Sequence, residues 1–82
     1  MASQRTEIYQ KLRPLLAESL GADEDEITMD TNVYDDLNAD GIEFHDEVIP
    51  LIEDKFGVTI EDEDVPDLTT VRELVDYLAE NI

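Results

Sequence analysis

Apolar side chains recur at three- and four-residue steps along three stretches of this 82-residue chain, a period that restricts it to helices packed on one another. In the first stretch Ile8, Leu12, Leu15, Leu16 and Leu20 form a stripe that Gly21 stops. Pro14 lies inside it and predicts a kink or a local break in hydrogen bonding. The second stretch starts at Asp40, an N-cap with Glu43 placed to complete a capping box. Its apolar face runs through Phe44, Val48, Ile49, Ile52 and Phe56, and Gly57 ends it. Pro50 falls within it and leaves the Asp46 carbonyl without its usual donor. The third opens at Thr70-Val-Arg-Glu73, a capping box, and turns Val71, Leu74, Val75 and Leu78 inward.

Residues 22–40 form a long acidic connection, anchored by Ile27, Val33 and Leu37 with Tyr34 partly buried. Val58-Thr-Ile60 reads as extended, and a short helical turn over Asp62–Val65 is closed by Pro66. Three longer helices and one short one predict an all-α four-helix bundle, a single domain over residues 1–82.

Charge limits the function classes. Twenty-three acidic residues against five basic ones give a formal net charge of −18. With 41% apolar residues in a helical period, the chain reads as folded under strong self-repulsion rather than disordered. Residues 14–54 hold no Lys or Arg, so nucleic acid is excluded as a partner and a protein with a basic docking patch is favoured. No cysteine is present, which removes disulfides and thiolate metal sites. No apolar run approaches membrane-spanning length, so no membrane insertion is expected; a cytoplasmic monomer is the default expectation.

Four motifs, in order and at matching spacing, carry a resemblance to a known family. These are Leu20-Gly21 with Glu26-Ile27-Thr28, Asp36-Leu37, Phe56-Gly-Val-Thr-Ile60 with Glu61-Asp62-Glu63, and Leu68-Thr-Thr-Val71 with Asp76-Tyr77-Leu78. The chain resembles the acyl carrier proteins, whose fold is a four-helix bundle and whose Asp-Leu-Gly-x-Asp-Ser-Leu stretch carries phosphopantetheine on the serine. Residues 35–42 here read Asp-Asp-Leu-Asn-Ala-Asp-Gly-Ile: Gly41, flanked by Asp40 and Ile42, stands at the serine position, and no serine follows Ser19. The segment Leu37–Phe56 is one residue longer than in a typical carrier and contains Pro50, which suggests a π-bulge or a break near Asp46–Pro50.

A phosphodiester needs a side-chain oxygen at a helix start, and glycine has none. Thr31 and Thr59 lie far away in sequence. The expectation is therefore a carrier scaffold without its arm: a non-carrier interaction or regulatory module of acyl or thiotemplate metabolism, with no cofactor and no phosphopantetheine. The resemblance places its partner-binding surface at Glu43, Asp46, Glu47, Glu53 and Asp54. Gly41 itself is read as supplying flexibility or close approach at the helix start. A true carrier modified at an atypical residue is a further alternative.

Residues 36–47 also satisfy the minimal calcium-loop pattern, with Asp36, Asn38, Asp40 and Glu47 as side-chain ligands and Gly41 as the sharp turn. Glu43 and Phe44 sit badly at the eighth and ninth loop positions, and the incoming helix is missing. Weak calcium binding by an acidic protein is the resulting alternative. His45, the one histidine, builds neither a triad nor a zinc site, and Asp46 and Glu47 are expected to raise its pKa. No enzymatic activity is expected.

Overall fold

The computed structural model describes residues 3–82, and in it four stretches of α-helix surround one core. Helix α1 (Gln4–Leu20) starts at Ser3, whose hydroxyl accepts from the Thr6 N–H, and ends at Gly21 in the left-handed conformation, φ 67°. It runs through Pro14 as one uninterrupted α-helix, with only the hydrogen bond that Pro14 cannot donate missing from its ladder. A short 3-10 turn (Glu24–Glu26) follows. The second long helix, residues 41–56, is assembled from three parts. They are α2 (Gly41–Glu43), a π-helical turn (Phe44–Val48) and α3 (Ile49–Phe56), with right-handed helical angles at both junctions. Gly57, also at φ 67°, stops it. A second 3-10 turn (Val65–Asp67) contains Pro66, which was expected to close the turn rather than sit inside it. Helix α4 (Val71–Asn81) completes the bundle.

The core is the apolar stripe of each helix. Leu12, Leu16, Phe44, Val48, Ile52, Val71, Leu74, Val75 and Leu78 are buried, and α1 packs along α4. Ile27, Val33 and Leu37 pin the long connection to this core, while Tyr34 and Phe56 stay half-buried.

Backbone bonds stitch the connection to the start of α4: Val33 N–H donates to the Thr69 carbonyl, and Val71 and Arg72 N–H donate to the Thr31 and Met29 carbonyls. Buried Thr31 satisfies itself within the connection, donating to the Glu26 carbonyl and accepting from the Thr28 N–H.

The π-turn has a local cause. Pro50 has no N–H to place in the helix ladder, and one residue before it the Ile49 N–H reaches back five residues to the Phe44 carbonyl. The extra residue is absorbed there, and Phe44 and Val48 remain fully buried. The bulge expected from Pro50 and the longer segment is thus present.

Candidate functional site

The start of the second long helix holds the residues at the expected attachment position. Asp40 is its N-cap, and its carboxylate accepts from the Ile42 N–H at 2.8 Å. Among the described residues neither the Glu43 N–H nor its carboxylate bonds back to Asp40, so the capping box predicted here is replaced by a single bond to the second helical amide. Gly41 has an ordinary negative φ, and a Cβ built on it would meet no heavy atom within 4 Å. Neither flexibility nor close approach therefore explains this glycine. Ile42 is 75% exposed, the most exposed large apolar side chain described.

Beside Gly41 lies a cleft of about 500 Å³ between the helix and the second 3-10 turn. Tyr34, Ile42, Val65 and Pro66 supply its apolar walls, and His45, Asp46 and Asp62 its polar rim. Tyr34 is held edge-on against Phe44, ring centroids 5.6 Å apart, and burial pushes its phenol above the usual tyrosine range. His45 Nε2 lies 3.0 Å from Asp62 and Nδ1 lies 3.1 Å from Asp46. Hydrogen bonds to Asp46 and then Asp62 raise the histidine pKa. The sequence pointed to Asp46 and Glu47; the structure keeps Asp46 and puts Asp62 in place of Glu47.

The expected partner-binding carboxylates are not equivalent. Glu43, Asp46, Glu47 and Asp54 are exposed. Glu53 is half-buried, and its carboxylate accepts from the Ile60 N–H at 2.8 Å, which fastens the extended segment to α3. Asp54 borders a separate groove of about 630 Å³ with Leu15, Glu18, Ser19 and half-exposed Leu51.

The calcium-loop residues do not converge. Asp36 accepts from the Asn32 N–H, Asn38 adopts φ 58°, and Asp40 is used by the helix cap. Glu47 lies on the π-turn. Among the described residues, no group of three or more His, Cys, Asp or Glu side chains could hold a metal ion. The pattern match arises because a helix start in an acidic chain places Asp and Gly at the same offsets as a calcium loop.

Comparison with known proteins gives the functional context. Residues 10–78 match the family described as phosphopantetheine attachment site. The chain is 38% identical over 78 residues to the acyl carrier protein of Petrotoga mobilis, covering 95% of this chain and 91% of that protein. It is 42% identical over 77 residues to that of Rubrobacter xylanophilus, covering 94% of each. The solved structure of the acyl carrier protein from Enterococcus faecalis superposes with a TM-score of 0.80 at 37% identity, covering 95% of this chain and 98% of that one.

These likenesses overturn two expectations. The non-carrier module is not supported, because relatives about 40% identical over nearly the whole chain are acyl carrier proteins. The expectation of no phosphopantetheine gives way as well, because the matching family is the one that attaches it. Both expectations had weighed one side chain above the whole scaffold. Among the described residues no helix is long and apolar enough to cross a membrane.

Proposed function

Because this chain belongs to the phosphopantetheine attachment site family, we propose that it is an acyl carrier protein serving the enzymes of fatty acid or related acyl metabolism, with phosphopantetheine as its prosthetic group. It is a carrier-family protein, not an enzyme. The observation that carries this reading is similarity to acyl carrier proteins over nearly the full length of both chains, in sequence and in fold.

The residues at the helix start do not fit an arm at position 41. Asp40, Gly41 and Ile42 have no hydroxyl, so no phosphodiester can form there. The carrier reading therefore places attachment at another hydroxyl. Thr28, Thr31, Thr69 and Thr70 are engaged in hydrogen bonds that hold the long connection and the start of α4. Tyr34 is the hydroxyl-bearing side chain lining the cleft beside Gly41, and Ser19 lines the groove beside Leu51.

Docking follows from charge. Exposed Glu43, Asp46, Glu47 and Asp54 surround exposed Ile42 and Leu51, an arrangement that favours a basic patch with an apolar centre. Such association should slow as salt is added.

Incubation with coenzyme A and a promiscuous phosphopantetheinyl transferase tests the reading by intact mass and peptide mapping. A mass gain equal to one phosphopantetheine, mapped to a single hydroxyl, is the expected result. An unchanged mass, under conditions that convert an acyl carrier protein with the usual serine, overturns it.

A further inference from the structure

His45 faces a carboxylate with each ring nitrogen, and one of the two contacts ties the second long helix to the segment entering the second 3-10 turn. Nδ1 meets Asp46 on its own helix, and Nε2 meets Asp62, 17 residues away on the opposite rim of the cleft. A neutral imidazole has one N–H and one lone pair, so it can donate to only one of two carboxylates. Facing a carboxylate with each nitrogen requires the imidazolium. The Asp46 contact joins neighbours in sequence and holds nothing together. The Asp62 contact joins two elements that line the cleft.

We propose that His45 is a positioning residue: as an imidazolium it latches Asp62 across the cleft beside residue 41, and loss of its proton releases the latch and widens the entrance to the apolar walls behind it. The groups facing the ring are few. Asp46 comes from the helix and Asp62 from the segment after Ile60. Tyr34, from the long connection, lines the same cleft, and its phenol is pushed further above the neutral range. Among the described residues no Lys or Arg lines the cleft to compete for either carboxylate.

Histidine is the side chain whose charge ordinarily changes between about pH 5 and 8, so the latch works near neutrality. Its raised pKa sets the direction: closed on the acid side, open as pH rises through the folded-state value. That the cleft receives the carrier's cargo rests on the carrier reading above; the latch itself does not.

The test uses the unmodified protein and Nile red, a neutral dye that the acidic surface does not repel. Amide spectra and dye fluorescence are followed from about pH 5.5 to 8.5 for the natural chain, His45→Gln and Asp62→Asn. In the natural chain dye uptake should rise about two- to fivefold along the His45 titration, with perturbed amides centred on Ile42 and Val65. In His45→Gln uptake should be high and independent of pH. In Asp62→Asn the His45 midpoint should fall, with uptake raised at the acid end.

Both changes are on exposed side chains, and circular dichroism checks that each variant keeps its helices. Dye uptake that stays flat while His45 titrates, or that is identical in the natural chain and His45→Gln, overturns the latch. A chain that refuses phosphopantetheine yet shows the pH response loses the carrier reading and keeps the latch.

Discussion

Two helix starts in this molecule solve the same problem differently. At Thr70 the donors of the first turn of α4 are satisfied: Val71 and Arg72 by carbonyls of the long connection, Glu73 by the Thr70 hydroxyl. Glu73 answers by accepting from the Thr70 and Thr69 N–H groups and both hydroxyls, a full capping box. At Asp40 one carboxylate oxygen serves Ile42, Glu43 does not reciprocate, and the chain then passes through a π-turn. One start is built into the bundle. The other is left open beside a cleft, with exposed Ile42, Glu43 and Asp46 close to it.

The largest expected effect tests whether this openness reaches the core. Phe44 is fully buried although it sits on the π-turn. Phe44→Ala should cost about 3–5 kcal/mol in urea unfolding. A cost below about 1 kcal/mol would mean that the second helix is loose throughout and not merely uncapped.

Next come the caps themselves. Thr70→Ala removes a hydroxyl that accepts from Glu73 N–H, and should cost about 1–2 kcal/mol. Asp40→Ala removes a single exposed cap bond and should cost about 0.5–1 kcal/mol. Equal losses in the two variants would erase the contrast between the starts.

The same contrast appears in the response to pH, with opposite signs. The Thr69 hydroxyl, followed by the bonds from Thr70, holds the Glu73 carboxyl below its usual value. A depressed folded-state pKa stabilises above the usual glutamate range, and that stability is lost as pH falls through the folded value. His45 is raised, so its contribution is full on the acid side of the ordinary histidine range and is lost as pH climbs through the folded value. Stability followed against pH should thus change on the acid flank through α4 and near neutrality through the cleft. Thr70→Ala should soften the first response and leave the second in place.

Most of the closed start, and little of the open one, is legible in the sequence. Thr70-Val-Arg-Glu73 is a local signal, and local geometry delivers it. The helical stripes, the anchors Ile27, Val33 and Leu37, and the π-turn ahead of Pro50 are legible for the same reason. The contacts around the second long helix are not local: His45 finds Asp62 across 17 residues, and Glu53 binds the Ile60 N–H seven residues on. No spacing rule ties those pairs before the chain has folded. The function is less legible for a different reason. One missing hydroxyl outweighed a scaffold that elsewhere keeps the carrier pattern from about Leu12 to the C-terminus.

The smallest effect bears on that position. Gly41 was read as a helix-start adaptation, yet its φ is not positive and a Cβ there meets open space. Nothing in the backbone requires glycine, and glycine at the first helical position carries the larger unfolded-state entropy. Gly41→Ala should therefore stabilise the protein by about 0.4–1 kcal/mol, read from the urea midpoint at unchanged slope. Gly41→Ser should be tolerated as well, since its Oγ would leave a Cβ that meets no neighbour and point into the solvent-filled end of the helix. If either substitution destabilises, the open start depends on glycine after all, and its looseness is a conformational requirement. If both are tolerated, the absent oxygen reflects no demand of the fold, and the scaffold at residue 41 remains sterically ready for a side chain.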